Sequence, residues 1–169
     1  MTPRQTQALA QQQALIDLKR NHGLAFTSGT SRLSKTIHLI NALARRDGYQ
    51  VSVAIAESMN PHSGHKKDLF GIIDLVAIEP TLTRGIQVCG SDWQPHIRKL
   101  QEEGMVACTR WLASPYRTLE LWGWRKVAMI NKDGKKQSRQ IWMPKLQLIT
   151  LPFLAGLEDA VLSDPFAVK

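Results

Sequence analysis

Over the first fifty positions of the chain, apolar residues recur at intervals of three and four. In the segment from Thr2 to Arg20, Ala8, Leu9, Leu15, Ile16 and Leu18 form a rough apolar face. Thr2, Pro3 and Gln5 at its start match a capping box with proline at the first helical position. Asn21-His22-Gly23 is expected to stop this helix. A second helix is predicted from about Ser31 to Arg46. Leu33, Ile37, Ile40 and Leu43 stand at helical spacing there, Leu39 widens the face, and Asp47-Gly48 closes it.

From Gln50 the period changes to two, and Gln50 to Glu57 alternates as a strand does. Leu69 to Ile78 is almost continuously apolar, as a central strand covered on both faces would be. Thr83 to Cys89 reads as a third strand. A helix follows from SDWQPHIRKLQEEG, with Ser91 as its expected N-cap and Ile97 and Leu100 on one face. Arg117 to Ala128 alternates again, Asp133-Gly134 signals a hairpin, and Arg139 to Met143 would be the returning strand. This order predicts an α/β fold with a mixed central sheet flanked by helices. Residues 1–48 form a helical segment packed on a core of residues 49–150. Residues 151–169 are a tail with a short helix that frays.

Composition narrows the function classes. A hydrophobic content of 43% and charged content of 21% in 169 residues suit one globular domain with a full core. No apolar run is long enough to span a membrane, and MTPRQTQALAQQQ lacks the apolar centre of a secretory signal. Two cysteines, Cys89 and Cys108, are too few for a disulfide framework or an all-cysteine zinc site. The expectation is a cytoplasmic protein. The net charge of +8 points to a polyanionic partner. The charge is uneven, because residues 92–145 carry 11 Lys/Arg against 5 Asp/Glu, which is +6 of the total.

Against this background the stretch KKDLFGIIDLVAIE (66–79) poses a chemical problem. It places Asp68 and Asp74 in apolar, β-branched surroundings, where an unpaired carboxylate is costly. An even separation puts both on one face of a continuous strand, whereas a bend at Gly71 would leave Asp68 at the entrance and Asp74 on the next run. Glu57 lies near the end of the preceding strand and Gln87 within the following one. Carboxylate and amide oxygens on neighbouring strands suit a hard cation such as Mg²⁺.

DLFGIIDLVA (68–77), GIQVCGS (85–91), HIRKL (96–100) and WGWRK (122–126) together resemble the PD-(D/E)XK nucleases, and in particular small nuclease-like proteins of phages and mobile elements. The resemblance covers roughly Val51 to Lys126. It implies a restriction-endonuclease-like core in a bacterial or phage-infected cell, and a Mg²⁺-dependent DNA phosphodiesterase in which Mn²⁺ can substitute. Asp74 takes the metal-binding aspartate position, Gln87 the D/E position and Glu57 the acidic residue of the preceding element. Asp68 stands at the mouth of the strand. The pattern's lysine is replaced by Cys89, so Lys99 or Arg98 on the following helix, or Lys66 and Lys67 before Asp68, must supply the cation. Gln87 brings no charge, and a non-enzymatic protein that binds DNA or a nucleoprotein is the alternative implied. Junction resolution or double-strand cleavage would require a homodimer.

Further basic residues are candidate phosphate contacts, namely Arg98, Lys99, Arg125 and Lys126, with Lys135 and Lys136 on the hairpin. Trp122 and Trp124 share a strand face and stack bases if exposed, or fill the core if buried. GTSRLSKT (29–36) imitates a phosphate-binding loop, but no buried strand precedes it and it reads better as a capped helix. His62 and His65 have transition-metal spacing and otherwise belong to a solvated loop.

Overall fold

The computed structural model describes residues 1–168, so Lys169 at the end of the expected tail lies outside it. Two helices come first, α1 (Pro3–Asn21) and α2 (Arg32–Asp47). The Thr2 side chain accepts from the Gln5 backbone N–H while the Gln5 side chain accepts from the Thr2 N–H, completing the expected capping box. Ser31 caps α2, and Gly48 ends it in the left-handed conformation with φ 77°.

Strands β1 (Ser52–Ile55), β4 (Leu75–Ile78), β5 (Thr83–Cys89), β6 (Arg117–Ile130), β7 (Lys136–Ile149) and β8 (Val161–Ser163) form one mixed sheet in the order β1-β4-β5-β6-β7-β8. Only the β5–β6 pair is parallel, and its crossover consists of α3 (Trp93–Glu102) and α4 (Met105–Leu112). A separate two-stranded ribbon, β2 (Ser58–Met59) with β3 (Lys66–Lys67), carries His62 and His65 on its exposed connecting loop. A single turn, α5 (Leu151–Leu154), precedes β8.

Both faces of the sheet are covered. Leu15, Leu18, Leu39 and Ile40 of α1 and α2 pack with Leu75, Ile86, Trp122 and Trp124 on one face. On the other, Ile97, Leu100, Cys108 and Trp111 of α3 and α4 pack with Leu119, Leu121 and Ile149. Trp122 and Trp124 are each 1% exposed, so they are core residues and cannot stack bases.

The sequence expectations need several corrections. The apolar run 69–78 is not one strand, because Asp68–Asp74 forms a tight turn and only Leu75–Ile78 is extended. The strand expected over 50–57 stops at Ile55 and leaves Glu57 in the connection to β2. Asp92 rather than Ser91 is the N-cap of α3, and it makes no side-chain capping bond. Helix α4, which starts directly after Gly104, is not expected from the sequence. The returning strand β7 runs the full length of β6, and β8 pairs with β7 instead of fraying.

One buried charge network had no sequence signature. Arg84 on β5 donates to Glu120 on β6 at 2.8 Å through both Nε and Nη2, and to Glu79 at 2.7 Å. Trp122 Nε1 also donates to Glu120, at 2.7 Å. The guanidinium thus holds β5 and β6 together from the α1/α2 side. Arg84→Met strands Glu120 and is expected to destabilise the fold by about 3–5 kcal/mol, read as a lower midpoint in urea unfolding.

Candidate metal centre

The turn between β3 and β4 creates the site. Phe70 has φ 55° and Gly71 φ 74°, so two successive left-handed residues reverse the chain. Leu69 N–H then bonds to Ile73 O at 2.8 Å, closing the loop. Ile72 and Ile73 are fully buried beneath it, which anchors the turn against α3 and α4. Asp68 and Asp74 come together by this reversal and not by strand alternation.

Strand β5 fixes Asp74 from the other side. Val88 N–H donates to Asp74 Oδ2 at 2.7 Å, and Gln87 Nε2 donates to the same oxygen at 3.3 Å and to Asp68 Oδ2 at 3.1 Å. Lys99 reaches in from α3, its Nζ 2.5 Å from Asp68 Oδ2. Glu57 completes the group and is itself paired with Lys66 at 2.9 Å. Glu57, Asp68 and Asp74 can each present an oxygen within 4.8 Å of the others. All of these residues line one cleft of about 620 Å³.

The electrostatics of the two aspartates diverge. Burial raises Asp74, the Val88 N–H only partly offsets this, and Asp68 alongside adds to the rise, so its pKa is pushed up to about 7. Burial also raises Asp68, but its bonds with Lys99, Asp74 and Gln87 outweigh that and hold it below the usual carboxylate range. Without a cation the pair therefore tends to keep one proton.

The donor set fits a hard divalent cation. It consists of the Glu57, Asp68 and Asp74 carboxylates. Gln87 is 2% exposed and its Oε1 has no hydrogen-bond partner, which is unusual for a buried amide. The amide presents its Nε2 to the two aspartates, and the three carboxylates alone are hard oxygen ligands of the kind Mg²⁺ or Mn²⁺ takes. Cys89, at the end of β5, is 2% exposed. Burial and the Asp92 charge push its thiol up to about 12, so it stays neutral. Cys89, Asp92 and His96 form a second group with ligand atoms within 4.8 Å. That mixed set suits a softer metal.

Of the residues singled out from the sequence, Glu57, Asp68, Asp74, Gln87 and Lys99 meet in this cleft. Arg98 is exposed on α3 and does not line it. Arg125 and Lys136 line a different cavity, against α1, and Lys135 is exposed on the β6–β7 hairpin. Lys126 lies near the cleft through Trp142, its Nζ 5.4 Å from the ring centroid. The cleft also contains residues that the sequence did not assign to a metal site: Thr30, Ser31, Arg32 and Lys35 at the start of α2. The phosphate-loop-like GTSRLSKT was the available signal for them.

Comparison with protein-family models, curated proteins and solved structures finds no match to this chain.

Asp74 makes stability depend on pH. Its folded pKa lies above the ordinary value of 3.8, so its contribution is greatest at low pH and is lost as pH rises through about 7. In EDTA at pH 8, Asp74→Asn should therefore be more stable than wild type, by on the order of 1 kcal/mol or about 2–4 °C in Tm. The gap should narrow by pH 5, as thermal unfolding at the two pH values would reveal.

Proposed function

We propose that this protein is a metal-dependent DNA nuclease with a degenerate PD-(D/E)XK site on a restriction-endonuclease-like core. The observation that carries the reading is the convergence of Glu57, Asp68 and Asp74, with Gln87 Nε2 bonded to both aspartates and Lys99 beside them. The strand placement agrees with it. Glu57 follows β1, Asp74 immediately precedes β4 and Gln87 lies on β5, and these three strands are neighbours in the sheet.

Glu57, Asp68 and Asp74 would hold the cation through their carboxylates, while Gln87 Nε2 orients both aspartates. When bound, Mg²⁺ or Mn²⁺ supplies positive charge against the phosphoryl oxygens. Lys99 compensates for Cys89. Approaching from α3 instead of β5, it places an ammonium next to Asp68, where a fixed cation can stabilise charge developing on a phosphodiester. The neutral Gln87 leaves the cation less neutralised than a fourth carboxylate would. That favours anionic substrate but weakens cation affinity.

The test is incubation with linear, nicked, single-stranded and branched DNA in Mg²⁺ or Mn²⁺. Cleavage is expected, and Asp74→Ala should abolish it. Loss of an outer partner typically costs about 10–100-fold, and a direct ligand should cost more. Lys99→Ala should slow cleavage by about 10²–10³-fold, with partial recovery in Lys99→Arg. DNA that is bound equally by wild type and Asp74→Ala, and cut by neither, would replace this reading with that of a nuclease scaffold used only for binding.

A further inference from the structure

The cleft has a second wall of opposite charge. At the start of α2, Arg32 is exposed, and among the described residues its side chain has no hydrogen-bond acceptor and no carboxylate partner. Its guanidinium lies directly against Gly90 at the end of β5. A Cβ there would come within 2.4 Å of Arg32 Cζ, so the absence of a side chain at Gly90 makes the seat. This puts Arg32 just beyond Gln87 and Val88 on the strand that fixes Asp74.

Lys35 lies one helical turn further on and is 1% exposed. Its Nζ donates to Thr30 O and sits 4.6 Å from the Trp142 ring centroid and 5.8 Å from that of Phe26. Lys126 approaches the same Trp142 ring at 5.4 Å. No described carboxylate pairs with Arg32, Lys35 or Lys126. Burial lowers the Lys35 pKa, and the charges of Arg32 and Lys126 lower it further, as expected of cations gathered without a counter-ion. Three uncompensated cations in one wall are unfavourable unless an anion joins them. The same cleft carries Gln87 and the acidic group, so it combines anion-binding and cation-binding side chains in one space.

We infer that Arg32, seated on Gly90 and backed by Lys35 and Lys126, is a phosphate-binding site for the nucleic-acid strand whose neighbouring phosphodiester faces Asp74, Asp68 and Gln87. Arg32 makes the direct contact. Its fork of donors suits phosphate oxygens, and the first turn of α2 adds its own positive end. Lys35 is too enclosed to reach far and acts through its charge and through the Thr30 carbonyl that it anchors. The inference rests on the nuclease reading, which supplies the strand, and it assigns GTSRLSKT a role in binding a phosphodiester backbone.

The test is fluorescence anisotropy of the full chain with a fluorescein-labelled DNA duplex in EDTA, across a salt series. Arg32→Ala should weaken binding by about 5–10-fold and flatten the slope of log K against log salt by about 1, the loss of one phosphate contact. Lys35→Met should weaken it in the same direction, with circular dichroism checking the fold. Gly90→Ala, which displaces the guanidinium without removing charge, should reproduce much of the Arg32 effect. Arg110→Ala removes the same charge from a different cavity on α4 and should leave the slope unchanged. An Arg32→Ala protein with wild-type affinity and slope overturns the site while leaving cleavage by wild type and its loss in Asp74→Ala intact. Equal losses in Arg32→Ala and Arg110→Ala overturn it too, in favour of general charge. A wild type that neither binds nor cuts DNA removes the nuclease reading and this site together.

Discussion

Two carboxylates held side by side in one cleft set the terms for the rest of this structure. Asp68 and Asp74 are brought together by the left-handed pair Phe70-Gly71, with Ile72 and Ile73 sunk into the core beneath. Their mutual repulsion has to be balanced locally, by Lys99 on Asp68 and by the Val88 N–H on Asp74. Gln87 bonds to both and yet leaves its own oxygen without a partner. The arrangement is costly in a free protein, and a divalent cation would relieve it, a pattern found where stability is given up for function.

The scaffold explains how that cost is carried. β5 supplies Gln87 and Val88 towards the cleft, and its other end is tied to β6 through Arg84 and Glu120. Ion pairing in the interior thus fixes the strand that positions the site, while α3 brings Lys99 and α2 brings Arg32 to it from different sides. Helices from both layers therefore converge on one end of the sheet. Lys99 bonds to Asp68 and Arg32 lines the same cleft, so the acidic centre of a chain of net charge +8 has cations beside it.

Much of this was legible in the sequence, for identifiable reasons. The caps of α1 and α2 depend on side chains within three residues of each other, and those local rules held at Thr2, Gln5 and Ser31. The Asp133-Gly134 hairpin held for the same reason. The run 69–78 misled because Ile72 and Ile73 are buried by a turn and not by a strand, and hydrophobicity alone does not separate the two. Arg84, Glu79 and Glu120 gave no signal, because their pairing depends on strand register across long separations. The candidate carboxylates were legible because acids inside an apolar run are conspicuous. Arg32 and Lys35 were not assigned to the site, because their approach to it is purely tertiary.

The central claim is that the carboxylate cluster is a hard-cation site, and cation binding tests it without any assumption about DNA. Titration of the protein into Mn²⁺, followed by the loss of the free-ion electron paramagnetic resonance signal, should show about one ion bound per chain at neutral pH and competition by Mg²⁺. Asp74→Asn should remove that binding. A wild-type protein that leaves the Mn²⁺ signal unchanged, or binding that Asp74→Asn does not alter, would contradict the account.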